Sequence, residues 1–131
     1  MIYPTTTAIV AALLALLQAG LMLYTAMGRG QFSTGLGDGG HEALTRRIRM
    51  HGNLAENAAL FVVLLGLTEL SGVSPLLVHI AGPAFVLVRL AHAFGLSMVF
   101  GPGANPFRAV GAVGTVVCFV VLALALLIRA V

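Results

Sequence analysis

The sequence predicts an all-α integral membrane protein, a single domain over residues 1–131 built as a bundle of four transmembrane helices. Composition is the first observation behind this reading. The 131-residue chain is 60% hydrophobic and only 8% charged, whereas soluble domains carry about 25% charged residues. Its mean hydropathy is +1.06. The second observation is a pair of uncharged runs, "AIVAALLALLQAGLMLYTAM" from Ala8 to Met27 and "AVGAVGTVVCFVVLALALLI" from Ala109 to Ile128. Each suffices to cross a hydrocarbon core, which takes about 20 residues. The third is the spacing of glycine- and proline-rich turns, which leaves room for two more helices between those runs.

Helix one is expected over about 5–27. Met1–Pro4 offers no basic n-region, so a cleaved signal peptide is not expected and the first helix stays. The segment "GRGQFSTGLGDGG" holds six glycines between Gly28 and Gly40 and reads as a loop, since that much glycine makes regular structure costly. Helix two is expected over about 42–70, with Asp38 and Glu42 near its positive end. "SGVSP" at 71–75 makes a short turn, and Pro75 is tolerated in the first turn of helix three. Helix three is expected over about 74–98, with a kink at Pro83. "GPGANP" at 101–106 is the last turn, followed by helix four over about 107–130.

Charge orients this bundle. Arg29, Arg46, Arg47, Arg49 and Arg108 cluster around the first and third connections, while the second has no basic residue. The positive-inside bias places the first and third connections in the cytoplasm and both termini on the opposite side; Arg129 alone opposes it. All seven basic residues are arginines and the net charge is +3. They sit at helix ends and within helices and form no solvated patch, which argues against nucleic acid as a partner. The lipid bilayer is the partner that composition implies. Polar residues are numerous for so small a bundle, and oligomerisation would let them face a subunit boundary.

The polar residues fall on two helical faces. At about 100° per residue, Arg46, Arg49, Asn53, Glu56, Asn57 and Leu60 share roughly a 100° arc of helix two, with Arg47 and His51 to one side. In "FVLVRLAHAFGLS", Phe85, Arg89, His92 and Leu96 share a face of helix three. Arg89 lies among apolar residues and needs a partner. Glu56 is the acid expected at that depth, so an Arg89–Glu56 pair is anticipated. With Arg29, Arg46, Arg49 and Arg89, Arg108 at the start of helix four completes a cationic ring at one membrane interface. Such a ring suits an anionic, amphipathic ligand, with carboxylates held in guanidinium forks and hydrocarbon alongside.

Other chemistries lack their residues. His41, His51, His79 and His92 show no clustered spacing with Cys or acid, so no metal site is expected. "GLGDGG" lacks the Lys–Ser/Thr of a phosphate loop. A Ser–His–Asp arrangement cannot be assembled on the membrane face. Cys118, the single cysteine, has no partner within the chain and reads as a small buried hydrophobe.

Arg49–Asn53–Glu56 opening helix two, Arg89–His92 in helix three and an arginine opening helix four, on four helices with a long first loop, resemble the MAPEG family. These are the membrane-associated proteins of eicosanoid and glutathione metabolism. The resemblance covers nearly the whole chain, and "GDGGHEALTRRIRMHGNLAEN" looks like its small bacterial branch. It implies a homotrimer in the bacterial inner membrane, with glutathione bound at subunit boundaries near the cytoplasmic side. By position, Arg49, Asn53, Glu56, Arg89 and His92 would bind glutathione, with Arg46 beside them, while Arg29 and Arg108 would approach its sulfur as the catalytic cations. A cation beside the sulfur favours the thiolate, which would attack a lipophilic electrophile or reduce a hydroperoxide. The chain departs from the family at Leu96, where eukaryotic members carry tyrosine, at Ala109, and at Ala59, where a proline is common. With just Tyr3 and Tyr24 in the chain, phenolic contacts to glutathione are largely missing. The alternatives are therefore a non-catalytic ligand-binding or scaffold protein on the same fold, and a small proton-coupled exporter using Glu56. The ring of arginines on one side disfavours cation export.

Overall fold

The computed structural model describes residues 3–98 and 105–130. Four helices follow in order: α1 (Thr5–Gln31), α2 (Glu42–Ser71), α3 (Pro75–Ser97) and α4 (Pro106–Ala130). All four are long and apolar enough to cross a membrane, and the chain is an integral membrane protein. No strand occurs among the described residues, as a bilayer requires of a short open chain whose backbone polar groups have no water to bond. Residues 101–104 of the expected last turn lie outside the described residues.

The helix limits differ from the sequence expectation where local chemistry extends or trims a turn. α1 runs through Gly28 and Gly30 to Gln31, four residues past the expected end. α2 lies close against Gly28, which leaves no room for a side chain: a Cβ there would meet Arg47 Nη1 at 2.8 Å and Cδ at 2.9 Å. α2 ends one residue late, on Gly72 at φ 67°, a left-handed cap that glycine adopts at no steric cost. Ser74 caps α3, its Oγ accepting from the Leu77 amide at 3.3 Å, with Pro75 at the first helical position. Asn105 caps α4: its Oδ1 accepts from the amides of Phe107 at 3.0 Å and Arg108 at 3.2 Å. That cap and Pro106 start α4 one residue earlier than expected. Pro83 lies inside a continuous α3.

The first turn of α1 has no side-chain cap of its own. Glu69, near the end of α2, supplies one. Its carboxylate accepts from the amides of Thr6 at 2.9 Å and Thr7 at 2.8 Å, and from the Thr7 hydroxyl at 2.6 Å. An anion on those free N–H groups also meets the positive end of the α1 dipole. This single residue fixes the start of α1 against the end of α2.

The core runs down the bundle axis through Val10 and Leu14 of α1, Leu54, Phe61 and Leu65 of α2, Val78 and Phe85 of α3, and Cys118 and Leu122 of α4. Phe61 and Phe85 stack with centroids 3.6 Å apart, and Phe119 tilts against both. Outward faces stay apolar, with Leu16, Leu87, Val113 and Ile128 exposed, as a lipid-facing surface requires. Glycine sets the closest approach of helices, the usual device where lipid is as apolar as the packing residues. A Cβ on Gly111 of α4 would lie 2.8 Å from His92 Cα and 2.9 Å from its backbone nitrogen, and one on Gly95 of α3 would meet the Arg108 nitrogen at 2.8 Å.

Gly111→Ala is therefore expected to force α3 and α4 apart and cost about 1–3 kcal/mol, the usual range for overpacking. Gly20→Ala, where a Cβ meets nothing within 4 Å, should leave stability unchanged or raise it by up to about 1 kcal/mol through helix propensity. Thermal unfolding of both variants in detergent checks the pair, and equal effects would refute the packing argument.

Candidate functional site

The antiparallel order of helices gathers the end of α1, the start of α2, the end of α3 and the start of α4 at one end of the bundle. Six of the seven arginines belong to that half, and Arg129, at the end of α4, lies at the other.

Arg89 is the centre of this end. It is 3% exposed, the most deeply buried charge among the described residues. Its Nη1 donates to Asn53 Oδ1 of α2 at 2.6 Å and its Nη2 donates to the Gly111 carbonyl of α4 at 2.8 Å. The same carbonyl accepts from the Thr115 hydroxyl at 2.7 Å, so both its lone pairs are used. The guanidinium lies 5.8 Å from the Phe85 ring centroid. Its Nε is buried without a hydrogen-bond partner. The anticipated Arg89–Glu56 pair is not formed. Glu56 points outward from α2 and is exposed, while Asn53, one turn earlier, turns inward and reaches the guanidinium first. A neutral amide and a helix carbonyl take the place expected for a carboxylate.

The other expected site residues divide between the interior and the outer surface. Asn53 is half-buried and its carbonyl accepts from Asn57 Nδ2 at 2.7 Å. His92 is half-buried against Gly111. Arg49 and Glu56 are exposed on the outer face of α2, and Arg108 is exposed at the start of α4. Arg46 pairs with Glu42 one turn back, the one ion pair among the described residues. Arg29 donates to the carbonyls of Gly37 at 2.9 Å and Gly35 at 3.4 Å, which ties the first loop to the end of α1. The structure thus unites Arg89, Asn53 and His92 with α4, and leaves Arg49, Glu56 and Arg108 facing away from the chain's own core.

Two residues at this end had no clear role in the sequence. Arg47 packs across α1, 4.2 Å over the Tyr24 ring, and donates to Gln31 Oε1 at 3.1 Å. Thr25 Oγ1 in turn donates to the Arg47 carbonyl at 3.1 Å. The signal was available in Gly28, whose missing side chain makes room for the guanidinium. The first loop is also built. Phe32 stacks on His41 with centroids 4.5 Å apart, and Asp38 accepts from the Thr45 hydroxyl at 2.6 Å and the Gly40 amide at 3.0 Å. Those bonds hold the Asp38 carboxyl below its ordinary value of 3.8, the Thr45 hydroxyl first and the Gly40 amide second. Gly37, Gly39 and Gly40 all have positive φ, the conformations for which this glycine-rich loop is suited.

These features define a class: a small four-helix membrane protein with a buried arginine and an open cationic rim at one end of the bundle. Residues 7–128 match the MAPEG family, and the chain belongs to that family. It is also similar to the inner membrane protein YecN of Escherichia coli K12 and its counterpart in Escherichia coli O6:H1. Each is 37% identical over 67 residues, which is 51% of this chain and 51% of the relative. The chain thus spans about half the length of the curated relatives it matches.

Asn53→Leu is expected to strand the buried guanidinium without its α2 acceptor and to cost about 1–3 kcal/mol or more in thermal stability. Glu56→Gln, at an exposed position, should stay within about 0.5 kcal/mol; a loss as large as that of Asn53→Leu would restore the Glu56 pairing. For the loop, a carboxyl held low favours the folded conformation above the ordinary carboxylate range and loses that contribution as pH falls through the folded pKa. Carbon-13 NMR titration should show Asp38 ionising below 3.8 in the native protein. The shift should shrink in Thr45→Val, with the Gly40 amide bond left to hold the remainder, and an unshifted midpoint in the native protein would remove the proposed role of Thr45.

Proposed function

We propose that this protein is a membrane-bound, glutathione-dependent transferase or peroxidase acting on lipophilic electrophiles or hydroperoxides. The observation that carries the reading is the buried Arg89, held on Asn53 and Gly111 below an open rim bearing Arg49, Glu56 and Arg108, in a chain of the MAPEG family. Glutathione fits such a rim. It brings two carboxylates, which guanidinium forks bind bidentately, and an ammonium, which Glu56 can accept. Arg108, at the start of α4, supplies the cation beside the sulfur, and Arg29, in the last turn of α1, the second.

The chemistry asked of the chain is electrostatic. The glutathione thiol loses its proton to water, and a guanidinium next to the sulfur favours the resulting thiolate. The sulfur then attacks the electrophilic carbon, forming a C–S bond as the leaving group departs with the bond's electron pair. The apolar outer surface lets a lipid-soluble substrate approach from the bilayer. His92, half-buried beside Gly111, positions the polar end of the peptide.

The outward direction of Arg49 and Glu56 supports a site completed by a second copy of the chain. A groove of about 420 Å³ opens between α1 and α2, lined by Ala11, Ala15, Ala55, Ala58 and Ala59. Small residues of this kind admit close helix approach in lipid, in keeping with a homotrimer. The arginine end faces the cytoplasm by the positive-inside bias. The similarity to a protein named as an inner membrane protein supports the bacterial inner membrane as its location.

A second reading is a ligand-binding protein of the same fold without catalysis. Leu96 favours it: the residue is buried against the bundle and offers no hydroxyl where related enzymes carry a phenol.

One experiment separates the two. Addition of glutathione to detergent-purified protein is expected to raise the ultraviolet absorbance of a bound thiolate. Arg108→Ala should lower the thiolate fraction about tenfold for each pKa unit its cation supplies. Thermal protection by glutathione with no thiolate band would favour the binding protein, and neither signal would remove glutathione from the account.

A further inference from the structure

The end of the bundle opposite the arginines carries a site of its own. A groove of about 660 Å³ opens between the start of α1 and the first half of α3. Its mouth holds Glu69 and His79, and its walls are apolar, with Ile9, Leu13, Val86 and Leu87. Glu69 and His79 also line an adjoining recess of about 180 Å³ toward the α2–α3 turn.

The mouth is rich in acceptors, and no arginine or lysine lines it among the described residues. The Glu69 carboxylate caps α1 through three hydrogen bonds, which leave part of its four-site acceptor capacity open to the groove. His79 Nδ1 lies 2.6 Å from the Pro75 carbonyl. A carbonyl accepts only, so Nδ1 carries the proton, and in that tautomer Nε2 is the acceptor nitrogen of the ring. Pro83, in the groove wall, has no N–H for the carbonyl of His79 one turn earlier, so that carbonyl is an acceptor without its helical donor. No arginine lines the groove.

Depth matches the chemistry. His79 is four residues into α3, about 6 Å from its start at about 1.5 Å per residue, at the end of the span where a headgroup would lie. Leu13 on α1 and Leu87 on α3 lie about 12 Å beyond Thr5 and His79 respectively by the same rise, and an acyl chain laid along the groove would cover them.

We propose that this groove binds an ethanolamine phospholipid, with the primary ammonium on Glu69 and His79 and an acyl chain between α1 and α3. A primary ammonium brings three N–H donors and a positive charge to an anionic, acceptor-rich mouth. A choline head has the charge and no donor. A glycerol head has hydroxyl donors, and its phosphate gives it a net negative charge, which the carboxylate repels.

The test is native mass spectrometry of the whole protein in mild detergent with equal amounts of ethanolamine, choline and glycerol phospholipids of one chain composition. The protein is expected to retain the ethanolamine lipid about fivefold over the choline lipid, the upper end of what an exposed ion pair contributes. Val86→Trp, which fills the groove and leaves the Glu69 cap in place, should abolish retention with helicity by circular dichroism unchanged. Glu69→Gln should bring the ethanolamine and choline lipids to parity; if that variant fails to fold, Val86→Trp decides alone. Equal retention of the two lipids by the native protein, preference for the glycerol lipid, no lipid retained, or undiminished ethanolamine binding in Val86→Trp would each overturn the proposal.

Discussion

The bundle is organised around one buried guanidinium. Arg89 sits where α2, α3 and α4 meet, bonded to Asn53 on one side and to the Gly111 carbonyl on the other. A charge in that position must have partners, because an uncompensated ion in a medium of low dielectric is costly by several kcal/mol. The partners impose geometry. Asn53 must face inward, which turns Arg49 and Glu56 of the same helix outward. Gly111 must lie close enough for its carbonyl to be reached, which requires that it have no side chain against His92. The relative rotation of three helices follows from satisfying one side chain.

The two ends of the bundle use opposite electrostatics for the same structural problem. At the arginine end, cations gather where loops are long and polar, and Arg47 and Arg29 are spent on holding α1, α2 and the first loop together. At the other end a single carboxylate, Glu69, occupies the free amides of α1. That bond does for α1 what Ser74 does for α3 and Asn105 for α4, but from another helix. Tertiary contact there replaces a local cap, and Pro4 before the helix offers no side chain that could have served.

The division between what was legible and what was not follows the range of the interactions. The four helices, their turns and the cationic end were readable, because hydropathy and glycine or proline punctuation act over a few residues. The alignment of Arg49, Asn53 and Glu56 along α2 was likewise local, set by helical spacing. The choice among them as the partner of Arg89 was not. A formal charge argument selects Glu56, yet a rotation of about 60° about the α2 axis, the angle separating residues three apart, brings Asn53 into reach and carries Glu56 outside. Glu69 was silent in the sequence for the same reason: its partners lie more than 60 residues away.

Sequence alone determined that the chain crosses a membrane as four helices, that its arginines collect at one end, and that its motif residues resemble those of the family to which it belongs. Each of these rests on composition and on periodicities within one helix. The tertiary structure alone decided that Arg89 is hydrogen-bonded to an amide and a carbonyl and not to an acid, that Arg47 braces α1 and α2, and that Glu69 caps a distant helix. Those outcomes depend on how helices rotate and how closely they pack, and glycines at helix contacts set both through the volume they leave free.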